Sequence, residues 1–199
     1  GLTRTLPGLT DNITYKYNES GIRTQKNENG SITEFYLSGS AIVTQITRDK
    51  NGEIIERLDF HYDDQGNLYG FSLDSTDYYY IRNAQNDIIG IVDVNGTKMV
   101  DYVYDSWGAL IAINGDQHLG NANPFRYRGY YYDDETGLYY LNSRYYDPMT
   151  GRFVNADAMV AGIGSMDGYN LFAYGMNNPV NMSDESGNWP KWLKDLVTE

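Results

Sequence analysis

The chain has 199 residues, with 27 acidic against 15 basic side chains and a formal charge of −12. That balance argues against a nucleic-acid backbone or an anionic membrane surface as the main partner, leaving plain solubility or a basic partner. The absence of cysteine excludes disulfides, thiolate metal sites and a thiol nucleophile. Twenty tyrosines and 21 glycines beside five prolines favour strands and turns. A mean hydropathy of −0.57 with 15% aromatics fits sheets with one wet face. The expected core is of half-buried tyrosine rings whose hydroxyls need partners.

Gly1-Leu2-Thr3-Arg4 opens the chain without Met and without a signal-peptide pattern, which reads as a fragment of something longer. No run of about 18 apolar residues predicts a membrane span.

Residues 1–115 are expected to form a wall of short antiparallel strands. Its signal is a repeated unit: an aromatic residue, then Asp or Asn, then Gly three residues on. It reads Tyr17-Asn18-Glu19-Ser20-Gly21, Tyr62-Asp63-Asp64-Gln65-Gly66 and Tyr104-Asp105-Ser106-Trp107-Gly108. Asn27-Gly30, Asp49-Gly52 and Asp93-Gly96 repeat the polar half. Each contains Asn-Gly, a hairpin signal because both positions accept φ > 0. At Asn83-Ala84-Gln85-Asn86 the last residue takes the glycine's place. Thr44–Arg48 and Gly90–Val94 alternate apolar and polar residues with the period of a strand.

Asn114–Asn123 is polar and turn-rich and is expected to be a loop. Strands return over 116–154, where the unit gains one residue: Tyr132-Asp133-Asp134-Glu135-Thr136-Gly137 and Tyr146-Asp147-Pro148-Met149-Thr150-Gly151. Residues 155–188 are rich in Gly, Asn and Met and read as a separate, irregular module. Residues 189–199 look like the first turns of a helix that opens a further segment.

The run Asn123-Pro124-Phe125-Arg126-Tyr127-Arg128-Gly129-Tyr130-Tyr131-Tyr132, with Gly137-Leu138-Tyr139-Tyr140-Leu141, Arg144-Tyr145-Tyr146-Asp147-Pro148 and Gly151-Arg152-Phe153, strongly resembles the RHS repeat-associated core. The earlier Tyr-Asp units resemble the YD repeats that precede it. The resemblance covers nearly the whole chain. It implies an all-β fold in which an antiparallel ribbon of YD repeats forms part of a curved hollow shell, with 155–188 curling inward as a plug. It implies a bacterial, secreted or cell-surface location within a larger protein, as in polymorphic toxins and insecticidal toxin-complex C components. The implied partners are a C-terminal toxin segment of the same parent chain, upstream RHS repeats and a cognate immunity protein, with no nucleic acid, membrane span or cofactor.

Self-cleaving members of that family carry two DPxG motifs and cut just after the second. The matching stretches here are Asp157-Ala158-Met159-Val160 and Asp184-Glu185-Ser186-Gly187. Both aspartates are present and both prolines absent, and Val160 stands in place of the first glycine. The resemblance implies an aspartyl self-protease with Asp157 and Asp184 catalytic and a cut between Asn188 and Trp189. Two carboxylates near enough to share one proton are what such hydrolysis needs. Arg144 and Arg152 are candidates to hold a carboxylate or the substrate backbone. The residues alone leave a plainer alternative open: Asp157 as a cap, Asp184 as a turn residue, the arginines as braces on strands or rings. His61 and His118 lack ligand spacing, so no metal site is expected. Asp63, Asp64, Asp133, Asp134 and Glu135 are expected to serve turn hydrogen bonds. An alternative function is a non-cleaving cell-surface repeat protein that binds glycans or other cells through exposed tyrosines.

Overall fold

The structure, a computed structural model, describes residues 12–155, 172–182, 184 and 187. Asp157, Asn188, Trp189 and the expected helix over 189–199 lie outside the described residues. The chain forms two compact units: residues up to Tyr80 with Val92–Thr97, and Ile81–Ile91 with the chain from Lys98 onward. The fold is all-β and antiparallel, with one short α-helix among the described residues.

The first unit is a meander of β1 (Ile13–Tyr17), β2 (Arg23–Glu28), β3 (Ser31–Ser38), β4 (Ala41–Arg48), β5 (Ile54–Tyr62), β6 (Leu68–Leu73) and most of β7 (Thr76–Arg82). Each strand pairs antiparallel with the next. Register stacks side chains in rows across the strands. Phe35, Gln45, Leu58 and Leu73 form one row and are all buried. One residue along, Tyr36, Thr44, Asp59, Ser72 and Asp77 form a row on the opposite face. There Thr44 donates to Asp59 at 2.7 Å and Ser72 to Asp77 at 2.5 Å. The period-two alternation thus sends one set inward and puts the other on the polar face, where Tyr36 and Asp77 are exposed and Ser72 alone is buried. Burying a side chain such as Leu58 contributes about 1.5–3 kcal/mol.

The repeated unit is a self-satisfying turn. At Asp63 the backbone N–H bonds to Asn67 O at 3.0 Å, and Gly66 N–H returns to Asp63 O at 2.9 Å. The Asp63 carboxylate accepts the N–H groups of Gln65 and Asn67 at 2.9 and 2.8 Å. Gly66 sits at φ 84, which glycine adopts without a Cβ penalty. The same side-chain bonds recur at Asn18, Asp49, Asn83, Asp93 and Asp105. Hydrogen bonds from Asn67 hold the Asp63 carboxyl below its ordinary value, and the Thr97 N–H leads the same effect at Asp93. Asn86 stands at φ 69 in the glycine's place.

Asn-Gly behaves in two ways. At Asn29-Gly30 both residues have positive φ, 53 and 94, and close a two-residue hairpin between β2 and β3. At Asn51-Gly52 and Asn95-Gly96 only the glycine does, because the Asp two residues earlier draws the Asn N–H into its own turn. A further two-residue hairpin, Asp74-Ser75 at φ 47 and 73, carries no glycine.

The second unit contains most of β8 (Ile88–Asp93), with β9 (Lys98–Tyr104) and β10 (Leu110–Gly115) paired as a hairpin. The expected loop over Asn114–Asn123 is instead largely α1 (Gln117–Ala122). Asp116 caps it, its carboxylate accepting Leu119 N–H at 3.0 Å, and Leu119 is buried beneath it. Six residues are too few for a helical period to show in the sequence. A four-stranded sheet follows, β11 (Tyr131–Asp133), β12 (Leu138–Leu141), β13 (Arg144–Asp147) and β14 (Arg152–Phe153), each paired with the next. In its lengthened turns the glycine N–H closes on the carbonyl four residues back, Gly137 on Asp133 and Gly151 on Asp147, both at 2.9 Å.

Candidate functional site

The site grows from a tyrosine core in the second unit. Tyr127, Tyr130, Tyr139, Leu141, Tyr146, Phe153 and Tyr174 form one buried cluster. The rings are buried more deeply than expected: Tyr139, Tyr146 and Tyr174 are wholly covered. What permits it is a partner for each hydroxyl. Tyr127, Tyr146 and Tyr139 donate to three successive carbonyls of the Asp105 turn, Ser106, Trp107 and Gly108, at 3.2, 2.7 and 2.9 Å. Tyr130 and Tyr174 share a hydrogen bond at 3.0 Å. Burial pushes these phenols up, with Tyr139 well above its ordinary value.

The described residues 172–182, 184 and 187 return to this core. Phe172 O accepts Phe153 N–H at 2.9 Å, which seats the segment beside β14. Tyr174 then enters the cluster, its ring tilted 31° to that of Tyr146 with the centroids 4.1 Å apart. Arg128 donates to Pro179 O and, at 2.7 Å, to Gln85 O; Gln85 in turn donates to Val180 O at 2.7 Å.

Asp184 and Gly187 are buried as well. Arg144, at the start of β13, donates from Nη2 to Asp184 Oδ2 at 2.9 Å. The two side chains are 3% and 7% exposed, so this is a buried ion pair. Such pairs are strongly destabilising to break from one side, because a lone buried charge remains. The Arg144 guanidinium also lies 3.5 Å from the Phe153 ring centroid. Asp184 N–H donates to Tyr130 Oη at 3.1 Å, which links it through Tyr130 to Tyr174. Gly187 O accepts from Arg144 Nε and, at 2.6 Å, from Ser143 Oγ.

The structure therefore brings Arg144 and Asp184 together. Arg152 is exposed on β14, opposite Asp147. Of the repeat tyrosines, Tyr62 donates to Ile42 O at 2.8 Å and Tyr104 to Ile88 O at 2.9 Å, each reaching back to an earlier strand, while Tyr146 lies in the tyrosine cluster and Tyr104 and Tyr132 pack against it. Ser143, Tyr130 and Tyr174 were not singled out in the sequence, since what marks them is contact with residues about 40 positions or more away. No group of three or more His, Asp or Glu fit to hold a metal occurs among the described residues. In the first unit the exposed Tyr69 stacks on the partly exposed His61 at 6.0 Å and on the exposed Tyr79 at 6.3 Å. Among the described residues no helix is long and apolar enough to cross a membrane.

Comparison with known proteins fits this architecture. The tRNA nuclease WapA of Bacillus subtilis (strain 168) is 38% identical over 180 residues, 90% of this chain and 8% of that protein. Toxin protein Tse5 of Pseudomonas aeruginosa is 38% identical over 95 residues, 48% of this chain and 7% of that protein. The chain thus spans less than a tenth of these relatives' length. The crystal structure of TcdB2-TccC3 without its hypervariable C-terminal region superposes with a TM-score of 0.72 at 22% identity, covering 92% of this chain and 9% of that one. That likeness establishes a shared fold. The family model of the Teneurin YD-shell matches residues 2–180, and the chain belongs to that family.

Proposed function

We propose that this chain is the C-terminal part of an RHS/YD-repeat shell that encloses and presents a toxin segment of its own parent chain outside the cell, and that it cuts that segment free once, after Asn188. The observation that carries the reading is the return of the chain to the tyrosine core, where Arg144 holds Asp184 and Gly187 out of water. Relatives named as a nuclease and as a toxin support it. An upstream array of RHS repeats and an immunity protein against the toxin belong to the same reading.

In this proposal water attacks the carbonyl carbon of Asn188. Asp184, paired with Arg144, takes the proton that the water loses, while protonated Asp157 hydrogen-bonds the carbonyl oxygen. The C–N bond then breaks, and the proton passes to the leaving amine of Trp189. Catalyst and substrate share one chain, so proximity supports a single turnover without an optimised site.

Intact-mass measurement of the parent chain tests it, with wild type beside Asp157→Asn and Asp184→Asn. Wild type is expected to yield two fragments that stay associated, with the downstream one resistant to added protease, and both variants to remain whole. A wild type that keeps its full mass after long incubation across a pH series excludes self-cleavage. A downstream segment digested as fast as an unfolded peptide excludes enclosure.

A further inference from the structure

One guanidinium serves two groups that the chain separates by three residues. Arg144 reaches the Asp184 carboxylate with Nη2 and the Gly187 carbonyl with Nε. Ser143 adds its hydroxyl to the same carbonyl at 2.6 Å. Both donors come from the tight connection between β12 and β13, where Asn142 turns at φ 58 and Ser143 N–H closes on Leu141 O at 2.7 Å. Their position is therefore set by a hairpin rooted in the tyrosine core.

The glycine is also required by space. Gly187 has φ 68, and a Cβ there would fall 2.5 Å from Leu141 O and 2.8 Å from Ser143 Oγ. Contacts that short force something to shift, and the nearer neighbour is backbone. Only a residue without a side chain brings its carbonyl flush against the hairpin.

We propose that Ser143 and Arg144 are positioning residues that form a register clamp. By gripping the Gly187 carbonyl while the same guanidinium holds Asp184, they fix how far along the chain the presented peptide bond stands from the carboxylate. The proposal rests on the self-cleavage reading above. It adds that the place of the cut, and not only its rate, is set by these two side chains. A lysine at 144 offers one compact ammonium on a flexible stem and cannot hold both partners in a fixed geometry.

The test compares product masses from the parent chain as wild type, Ser143→Ala, Ser143→Thr and Arg144→Lys, with near-ultraviolet circular dichroism to verify folding. Wild type is expected to give one cut position. Ser143→Ala and Arg144→Lys are expected to cut about tenfold more slowly, the effect of one lost hydrogen bond, and at more than one neighbouring bond. Ser143→Thr, which keeps the hydroxyl, is expected to restore the single position. A brace that merely stabilises the fold lowers rate or yield without moving the cut. One unshifted position in Ser143→Ala and in any folded Arg144→Lys overturns the clamp while leaving self-cleavage standing. A wild type that never cuts overturns both.

Discussion

The two units use the same turn in different company. At Asp63 the turn is complete in itself: its carboxylate takes two N–H groups, and a Cβ on Gly66 would meet nothing within 4 Å. At Asp105 the carboxylate takes the same two backbone N–H groups, yet three outer carbonyls accept buried tyrosines and a Cβ on Gly108 would lie 2.5 Å from the Tyr127 ring. A local motif that stands alone in the first unit becomes the floor of a core in the second. The difference lies in what packs on it, not in the motif.

Alkali should separate the units most widely. Burial pushes Tyr102 up to about 12 and Tyr139, Tyr146 and Tyr174 upward as well, against an ordinary value of 10.0. The fold favours the neutral phenol, so this stabilisation is complete below pH 10 and drains away as pH rises through the folded values. The second unit is expected to lose its near-ultraviolet signal above pH 10 with a late, cooperative rise in tyrosinate absorbance. Every tyrosine titrating near pH 10 with that signal intact would contradict the buried hydroxyl network.

The next contrast is between equivalent glycines. Gly108→Ala combines left-handed backbone with a clash and should cost about 3 kcal/mol in chemical denaturation. Gly66→Ala meets only the backbone penalty, about 1 kcal/mol. Equal losses would mean that the core does not rest on the Asp105 turn as described.

The smallest contrast is between hydroxyls. Tyr139→Phe strands a carbonyl that water cannot reach and should cost about 1–3 kcal/mol. Tyr62→Phe removes a bond in a partly exposed place and should cost less, under about 1 kcal/mol, as solvent replaces it. A reversed order in thermal or urea midpoints would break the comparison.

The sequence made the repeated turns readable because an Asx turn needs only its own five residues. Asp63, Asp93 and Asn83 with Asn86 could be placed from spacing and φ preference alone. Asp74-Ser75 escaped because its left-handed pair has no glycine, and α1 because its cap and one buried leucine are too little pattern. At the candidate site, Arg144 and Asp184 were visible only through family resemblance, and Ser143 not at all. Its part is defined by a carbonyl 44 positions away, and no local rule reports such a donor.

Because each Asx turn meets its internal N–H needs from its own first residue, a hairpin can be duplicated or lost with no donor inside a neighbouring turn left stranded. Copy number in such a ribbon can drift by unequal recombination while each junction stays chemically whole. The Asn83 and Asp105 turns are exceptions. Arg128 has claimed the Gln85 carbonyl of the first and three later tyrosines the carbonyls of the second, so a hairpin can be gained or lost before them, but not there.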